Sequence, residues 1–353
     1  MTRHRPEWRG KRPAKGTKTT KIAYLEVLTA YPADCKALRA EFLGAAGGFS
    51  GAEIWRIHAP AGALCLRKWP LEHPSGEVLE TIHALLRHVS ANGFPYVPVP
   101  RLTRDGRTYV VYDRHLWELT PWMSGSADFH QSPSVTRLRT AMTALAEFHR
   151  AAKSFGGYER QRGPSPGIEQ RLAQLRNWLA GGLEVLRSAV RPEVRPELEG
   201  RTRRILRLAP RFAGGTLALL EACRSLTIPL QFCIGDVWRD HLLLQGDTVV
   251  GLIDFGSVRV DNVSADVARL LGSLAGDDKP WWQAGMESYQ ACRPLEESEL
   301  LLVKAFDRST VLMSGLNWID WIYCQGRTFA SGDAIPRRLD EILLRLENMG
   351  IHG

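Results

Sequence analysis

Residues 234–256 read IGDVWRDHLLLQGDTVVGLIDFG, and this stretch decides the fold. Leu242–Gln245 and residues 248–253 carry apolar, strand-forming residues on either side of the tight turn Gly246-Asp247. Two short strands joined by such a turn form an antiparallel hairpin. We therefore expect a hairpin whose two open ends lie side by side.

The open end of this hairpin brings together side chains that can carry chemistry. Asp236, Asp240 and His241 come before its first strand, and Asp254 follows its second. Clustered carboxylates repel one another unless a cation lies between them, and a divalent metal with phosphate is a natural occupant. Kinase-type phosphoryl transfer uses such a site, since one aspartate orients the attacking hydroxyl while other ligands hold Mg²⁺. The alternative is that the aspartates only cap turns.

A small sheet is predicted upstream of this stretch. Residues 52–58 and 63–69 have strand character, and residues 75–91 have apolar positions at helical spacing. Asp105-Gly106 is a hairpin turn signal, and residues 21–43 have a helical pattern with one proline break. The N-terminal part is therefore expected to be an antiparallel sheet with helical additions.

The rest of the chain is predicted to be mainly helical around the hairpin. Amphipathic segments cover residues 135–153, 169–190 and 196–224, and helices continue from residue 265 to the end with a break at Pro336. The fold class is thus α+β, with a small sheet lobe followed by a larger helical lobe.

The net charge of +8 is concentrated at the N-terminus. Residues 1–21 hold eight basic residues and one acid, which account for +7 and leave +1 for the rest. We expect this tail to be disordered and the remainder to have no specific nucleic-acid partner. No apolar run approaches the ~18 residues of a membrane span, and the six cysteines include no CxxC pair. These features predict a cytoplasmic protein.

The hairpin stretch resembles the aminoglycoside phosphotransferase and choline kinase-like superfamily, a branch of the protein-kinase-like fold. The family pattern is close to His-Gly-Asp-x-x-x-x-Asn, a hairpin, and Ile-Asp-Phe or Ile-Asp-Trp; here it stands as IGDVWRDH and IDFG. The resemblance implies a bilobal kinase-like fold, ATP and Mg²⁺ as cofactors, Asp236 as base, and Asp254 with His241 as metal ligands. Asp266 takes the place of the aspartate that braces the active loop. Residues 83–125 also resemble spore-coat kinase-like proteins.

Two positions depart from the family pattern. Ile234 replaces the first histidine, and His241 replaces the metal-binding asparagine. Mg²⁺ prefers oxygen ligands, whereas imidazole nitrogen suits softer metals. Three alternatives stay open: His241 still serves, Asp240 supplies the oxygen, or the site has lost activity.

Residues of the N-terminal lobe are candidates for phosphate binding. Gly47, Gly48 and Ser50 lie in a glycine-rich turn where backbone N–H groups can approach phosphate. The resemblance assigns Arg67, or its neighbour Lys68, as the cation that pairs with phosphates. The alternative is that both cations are simply solvated on an edge strand.

The resemblance also places further nucleotide contacts. A glutamate on the helix after that strand is expected to pair with the cation, and Glu80 fits this place better than its alternative, Glu77. The adenine is expected to lie against a linker that includes Thr120, Trp122 and Met123. Because Pro121 has no N–H, Trp122 or Met123 must donate to the base.

The acceptor is expected to be a small hydroxyl-bearing molecule. Trp318, Asp320 and Trp321 can cage an organic amine or can belong to the helical core. Residues 155–222 carry an excess of arginine, which can receive an anionic acceptor, whereas residues 277–347 are acidic. The two regions point to opposite acceptor charges.

These expectations combine into one hypothesis and one alternative. Residues 1–21 form a basic tail, residues 22–123 the nucleotide-binding lobe and hinge, and residues 124–353 the helical lobe with the acceptor site. The protein is expected to transfer the γ-phosphate of ATP to a hydroxyl group. The alternative is a catalytically silent kinase-like protein that binds nucleotide or a protein partner.

Overall fold

The computed structural model describes residues 18–44, 51–191, 193–327 and 334–349. Two units form within these residues. The first contains the described residues up to Glu80 together with Val99–Trp122, and the second contains Thr81–Pro98 and the described residues from Met123 onward. The second unit thus includes Thr81–Pro98, a segment predicted to belong to the nucleotide-binding lobe.

The first unit is built on an antiparallel sheet. Its described strands are β1 (Arg39–Gly44), β2 (Glu53–Ala59), β3 (Gly62–Lys68), β4 (Val110–Tyr112) and β5 (His115–Pro121). They lie in the order β1-β2-β3-β5-β4. Helix α1 (Lys18–Leu28) precedes them, and α2 (Gly76–Ala91) begins in this unit and continues into the second.

One face of this sheet forms the apolar core of the first unit. Along β3, Leu64 and Leu66 are buried on that face, while Cys65 and Arg67 alternate onto the other. Residues from α1 and the turn after it pack against the same face. The buried cluster comprises Val27, Leu28, Tyr31, Cys35, Trp55, Ile57, Leu64, Leu66, Trp117 and Leu119.

The predicted helix over residues 21–43 is only partly correct. Helix α1 ends at Leu28, and residues Arg39–Gly44 form strand β1, which pairs with β2. Ala40 and Phe42 pack against the apolar core, and the Phe42 ring lies 4.9 Å from that of Trp55. Over only six residues, this two-residue alternation cannot be distinguished from the end of an amphipathic helix. Pairing with β2 therefore determines that the segment is a strand.

The second unit is mainly helical. Its further α-helices are α3 (Val135–Ala152), α4 (Pro166–Asn177), α5 (Leu183–Ala189), α6 (Glu199–Cys223), α7 (Ser264–Ala275), α8 (Lys279–Cys292), α9 (Glu297–Ile319) and α10 (Ala334–Asn348). Its short strands are β6 (Arg162–Gly163), β7 (Ile228–Pro229), β8 (Gln231–Cys233), β9 (Leu242–Gln245), β10 (Thr248–Leu252) and β11 (Arg259–Asp261). Helix α3 packs on α8, and α9 packs on α6 and α7. No helix in the described ranges is long and apolar enough to cross a membrane.

The predicted α+β class, with an antiparallel N-terminal sheet and a helical remainder, is confirmed. Two local predictions need correction. Lys18–Lys21 begin helix α1, while residues 1–17 of the predicted tail lie outside the described residues. Pro336 does not break a helix, because it is the third residue of α10, where its missing N–H removes no intrahelical hydrogen bond.

Candidate active site

The predicted hairpin is confirmed, and it brings His241 next to Asp254. Strands β9 and β10 are antiparallel, with Leu242 opposite Leu252. The ladder continues where the N–H of Ile253 donates to the carbonyl of His241 over 3.0 Å. The Nε2 atom of His241 lies 3.5 Å from Oδ2 of Asp254. A backbone register thus sets this side-chain pair.

Asp254 has an unusual backbone and a partly exposed carboxylate. Its φ is 67°, in the left-handed region that few non-glycine residues adopt. Its side chain is 40% exposed. The next residue, Phe255, is buried, and its ring lies 5.7 Å from that of Phe148 on α3. This packing holds the strained residue in place, which is a common feature of functional sites.

The loop before Asp236 is fixed by a buried chain of hydrogen bonds. The N–H groups of Ile234 and Gly235 donate to the two carboxylate oxygens of Asp266 over 2.7 and 2.8 Å. His149 Nε2 lies 3.2 Å from Asp266, and His149 Nδ1 lies 2.7 Å from the Tyr289 hydroxyl. Burial lowers the pKa of His149 despite Asp266, so the imidazole is neutral. Because a carboxylate only accepts, Nε2 donates to Asp266 and Nδ1 accepts from Tyr289.

Gly235 allows the two aspartate-bearing segments to pack closely. Its φ is +87°, and a Cβ at this position would collide with the carbonyl oxygen of Ser257, three residues after Asp254. Only glycine satisfies both constraints. Downstream, Arg259 on β11 pairs with Cys233 on β8, which ties the two segments together again.

Asp236 is half exposed and is held by an arginine. The Nε and Nη2 atoms of Arg269 both lie 3.0 Å from Oδ1 of Asp236, whose side chain is 53% exposed. Partial burial alone would raise the pKa of Asp236, but the charges of Arg269 and Arg259 and the hydrogen bond from Arg269 lower it overall. Asp236 is therefore an ionised carboxylate that can accept a proton or a hydrogen bond.

The tautomer of His241 follows from a neighbouring tryptophan. The indole N–H of Trp238 donates to Nε2 of His241 over 2.8 Å. An indole nitrogen can only donate, so Nε2 accepts and the ring proton lies on Nδ1. Burial lowers the pKa of His241, even though Asp254 and Asp236 raise it, which keeps the ring neutral.

The two predicted Mg²⁺ ligands, Asp254 and His241, therefore differ in how well they suit the ion. The carboxylate of Asp254 is a hard oxygen donor of the kind Mg²⁺ prefers. The lone pair of His241 Nε2 is engaged by Trp238. Asp240, the alternative oxygen donor, lies 3.7 Å from Nε of its neighbour Arg239. Asp254 fits a magnesium ion, and His241 does not in this arrangement.

In the first unit, Arg67 has a carboxylate partner other than the predicted one. Its Nε lies 3.5 Å from Oε1 of Glu118, which stands opposite it on β5. Its guanidinium lies 4.7 Å from the Trp69 ring. Glu80 instead accepts from the hydroxyl of Tyr109 over 3.2 Å. The cross-strand register thus supplies Arg67 with an acid, Glu118, that the sequence did not predict.

Lys68 is on the other face of β3 from Arg67. Its Nζ lies 3.3 Å from Glu53 and 5.8 Å from the centre of the Trp117 ring, which belongs to the apolar core. Arg67 shares its face with Cys65, as the alternation predicts. The other predicted phosphate-binding residues, Gly47, Gly48 and Ser50, lie outside the described residues.

One of the two N–H groups predicted to bind the base is hydrogen-bonded within the sheet. The Trp122 N–H donates to the carbonyl of Ala63 over 2.9 Å, and the Trp122 ring stacks with Arg56 at 4.8 Å. Thr120 is buried on β5 opposite Cys65. Of the two predicted N–H donors to the base, the N–H of Trp122 is hydrogen-bonded within the sheet and that of Met123 is not.

The tryptophan cage predicted for an amine is filled by the protein itself. Trp318 is only 6% exposed, and its ring lies 5.5 Å from that of Trp321. The guanidinium of Arg327 covers Trp321 at 5.1 Å, and Asp320 accepts from Gln325 over 2.5 Å. The core interpretation of these aromatics is therefore favoured.

Sequence reasoning missed two basic residues that lie against Trp238, two positions after Asp236. Arg269 stands three residues after Asp266 on α7, and its guanidinium lies 5.9 Å from the Trp238 ring. Arg338, on α10, approaches the same ring at 4.9 Å. Helical spacing from Asp266 was a signal for Arg269. Nothing local in the sequence indicates Arg338.

Comparison with known proteins places this site in a family. The family model described as the phosphotransferase enzyme family matches residues 41–297, which include the hairpin and Asp266. The chain belongs to the phosphotransferase enzyme family. The predicted kinship with aminoglycoside phosphotransferases and the predicted enzyme class, a phosphotransferase, are confirmed.

Two curated relatives cover much of this phosphotransferase. A protein of Methylobacterium radiotolerans named homoserine kinase is 25% identical over 312 residues, covering 87% of this chain and 88% of that protein. One of Rhizobium johnstonii with the same name is 25% identical over 244 residues, covering 67% and 68%. The similarity thus extends well beyond the hairpin.

Solved structures share the fold of this phosphotransferase. The aminoglycoside phosphotransferase of Alicyclobacillus acidocaldarius has a TM-score of 0.60 at 20% identity and covers 99% of this chain and 100% of its own. The AMP-bound spectinomycin phosphotransferase has a TM-score of 0.64 at 11% identity, covering 94% of each chain. At these identities the likeness concerns the fold.

Proposed function

We propose that this protein is an ATP-dependent kinase that transfers the γ-phosphate to a hydroxyl of a small molecule. The observation that supports this most is the convergence of Asp236 and Asp254 on His241. Both carboxylates raise the pKa of the same imidazole, and Asp254 lies 3.5 Å from it. In-line phosphoryl transfer needs a base and a metal ligand in one site.

Asp236 acts as the catalytic base. Arg269 engages its Oδ1, so Oδ2 is the oxygen that accepts the hydrogen bond from the acceptor hydroxyl. The lowered pKa makes Asp236 a weak base. A weak base is sufficient because the transition state is loose and the hydroxyl needs to lose its proton only late. Its main contribution is to orient the hydroxyl oxygen toward the phosphorus.

Asp254 is the metal ligand of this proposal. Bound Mg²⁺ supplies positive charge that offsets the nucleotide phosphates. Asp254 is aimed by its left-handed backbone and by the buried Phe255 beside it. His241, fixed by Trp238, is a neutral neighbour of Asp254 that limits where its carboxylate can turn. We assign His241 this positioning role.

Nucleotide recognition is assigned to residues of the first unit and to Met123, the residue that follows it in the chain. Arg67, steadied by Glu118, pairs with the phosphates, and the N–H of Met123 donates to the adenine beside Thr120. Gly47, Gly48 and Ser50 are proposed to cover the phosphates. Proteins with this fold have been solved with AMP-PNP and with AMP, which supports ATP as the donor.

The acceptor is proposed to be a short aliphatic alcohol. Curated relatives carry the name homoserine kinase, and a structural neighbour is described as an aminopropanol kinase. Both names describe small aliphatic molecules that carry an amine and a hydroxyl. Homoserine is therefore the first acceptor to test.

An acceptor screen tests this proposal. The purified protein is incubated with MgATP and homoserine, 3-aminopropanol or an aminoglycoside, and ADP release and the phosphorylated product are measured. We expect product only with both Mg²⁺ and acceptor. ATP hydrolysis independent of every acceptor, or an absence of nucleotide binding at millimolar ATP, would contradict the proposal.

A silent kinase-like protein is the second candidate, because one observation favours it. The residue that replaces the family's metal-binding asparagine has its lone pair occupied by Trp238. A protein of this kind binds ATP equally well with and without Mg²⁺. Calorimetric titration of ATP with Mg²⁺ or with EDTA separates the candidates, since the kinase binds more tightly with Mg²⁺.

A further inference from the structure

Three arginine side chains surround Trp238, close to Asp236. Their guanidinium carbons lie 4.9 Å from the indole centroid for Arg338 and 5.9 Å for both Arg239 and Arg269. Arg239 belongs to the turn before the hairpin, Arg269 to α7 and Arg338 to α10. Like charges repel, so three separate elements converge here against an electrostatic cost. We call this group the arginine cluster.

Besides Asp236, two carboxylates of the described residues contact the arginine cluster. Glu341 serves two members at once, since it accepts from Nη2 of Arg239 over 2.5 Å and from Nη1 of Arg338 over 3.0 Å. Asp240 lies 3.7 Å from Nε of Arg239. Within the described residues, the bond to Glu341 is the one side-chain hydrogen bond that the structure gives Arg338. Its guanidinium therefore retains donors that can face a ligand.

Arg269 is also incompletely matched. Its Nε donates to Oδ1 of Asp236 and its Nη2 lies 3.0 Å from the same oxygen, so Arg269 does not bind both carboxylate oxygens as a bidentate pair does. Burial, together with the charges of Arg269 and Arg239, lowers the pKa of Arg338 although Glu341 raises it. Three carboxylates thus face three arginines, but because Glu341 is shared and Arg269 meets one oxygen only, guanidinium N–H groups of Arg338 and Arg269 remain available to a ligand.

We propose that Arg338 and Arg269 bind a carboxylate of the acceptor, whose hydroxyl then reaches Asp236. This inference rests on the proposed kinase function. The planar guanidinium matches the two oxygens of a carboxylate. Side-chain exposures of 20% for Arg338 and 23% for Arg269 leave the pair accessible yet partly shielded from water, which strengthens such contacts.

The geometry also limits the length of the acceptor. Arg269 contacts Asp236 directly, so the carboxylate anchor and the base are separated by little more than one guanidinium group. A hydroxyl only a few bonds from its carboxylate fits this spacing. The ligand class is a short hydroxy acid, and homoserine, which the relatives' name mentions, belongs to it.

Paired acceptors test the role of the carboxylate. Homoserine is compared with homoserinamide, which keeps the hydroxyl and the amine but has no carboxylate. We expect the wild-type kcat/KM to favour homoserine by roughly 10- to 100-fold, the scale of hydrogen bonds to charged groups. Arg338→Ala should remove this preference by raising the KM for homoserine, while the KM for ATP stays unchanged.

Two further variants serve as controls for folding and charge. Arg337→Ala removes the exposed neighbour of Arg338 on the same helix and should leave the preference intact. Arg338→Lys keeps the charge but loses the planar fork, so an intermediate preference is expected. Thermal melting of each variant shows whether a loss of activity reflects unfolding.

Several results would overturn the inference. If Arg338→Ala raises the KM for ATP, the arginine cluster binds the transferred phosphate instead of the acceptor. If Arg338→Ala lowers kcat/KM equally for homoserine and homoserinamide, Arg338 does not recognise the carboxylate. If the wild-type protein shows no turnover, calorimetric titration of homoserine in the presence of AMP-PNP tests acceptor binding without catalysis. If homoserine binds to wild type and to Arg337→Ala but not to Arg338→Ala, the kinase function is contradicted and the carboxylate site is supported. If homoserine binds equally to wild type and Arg338→Ala, or does not bind to wild type, the inference is contradicted.

Discussion

Trp238 donates its indole N–H to Nε2 of His241 over 2.8 Å, and this bond occupies the one lone pair that the neutral imidazole could offer a metal. Nε2 also lies 3.5 Å from Oδ2 of Asp254. The histidine that replaces the family's asparagine is thus a neighbour of the metal ligand. Oxygen donors, above all Asp254, remain for Mg²⁺.

His241→Asn is expected to improve magnesium binding. The amide oxygen of asparagine is a hard donor, whereas the imidazole is a poor one for this ion. The concentration of free Mg²⁺ that gives half-maximal activity at saturating ATP should fall by roughly tenfold, within the range for changes around metal ligands. An unchanged or higher requirement would contradict this assignment.

Trp238→Phe provides the matching test of the imidazole. Removing the N–H donor frees Nε2 and should increase activity with Mn²⁺ relative to Mg²⁺, because nitrogen ligands suit the softer ion. If wild type and Trp238→Phe show the same ratio, the lone pair is not what excludes His241 from the metal.

Arg67→Ala should weaken ATP binding. Arg67 is on the Cys65 face of β3, whereas Lys68 is on the core face beside Glu53 and Trp117. Losing a charge-assisted contact to phosphate should raise the KM for ATP by roughly 10- to 100-fold with a small change in kcat. Lys68→Ala is the control, and a larger effect there would reverse the assignment of the phosphate-binding cation.

Arg269→Gln should shift the acidic limb of the pH profile of kcat/KM upward. The base works as the carboxylate, and Arg269 is the main cause that lowers the pKa of Asp236 against partial burial. Removing that charge raises the pKa, so activity is lost at a higher pH than in wild type. Arg211→Gln, at an exposed site on α6, should leave the profile in place. An unshifted limb in Arg269→Gln would exclude this coupling.

The buried chain from Tyr289 through His149 to Asp266 should contribute to stability. Asp266→Asn loses one oxygen acceptor and leaves a buried N–H without its partner, which should cost about 3 kcal/mol of unfolding free energy. Tyr289→Phe removes a single hydrogen bond and should cost about 1 kcal/mol. Urea unfolding measures both. Equal stability of Asp266→Asn and wild type would show that the loop is held by other contacts.

Local patterns predicted the hairpin and the helical remainder correctly. β9 and β10 are neighbours in sequence with a strong turn between them, so short-range signals are sufficient. Strand β1 has a helix-like local pattern, and its six residues form a strand only through pairing with β2. The same holds for Trp122, whose N–H is engaged through the register of β5 on β3.

Long-range pairing explains why the charge segments gave conflicting acceptor predictions. Arg201 on α6 forms an ion pair with Asp340 on α10 at 2.7 Å, and Arg204 pairs with Glu347 on the same two helices. Arginines from the basic segment thus meet acids from the acidic one. The arginine cluster instead combines residues 239, 269 and 338, which only the fold brings together.

The most direct test of the account is phosphoryl transfer by Asp236→Asn. With MgATP and homoserine, kcat should fall by roughly 10²- to 10⁴-fold, the range for loss of a general base, while the KM for ATP stays near its wild-type value. Asp247→Asn, at the exposed turn of the same hairpin, should retain full activity. An Asp236→Asn variant that keeps wild-type kcat would contradict the central claim that this carboxylate orients the acceptor hydroxyl.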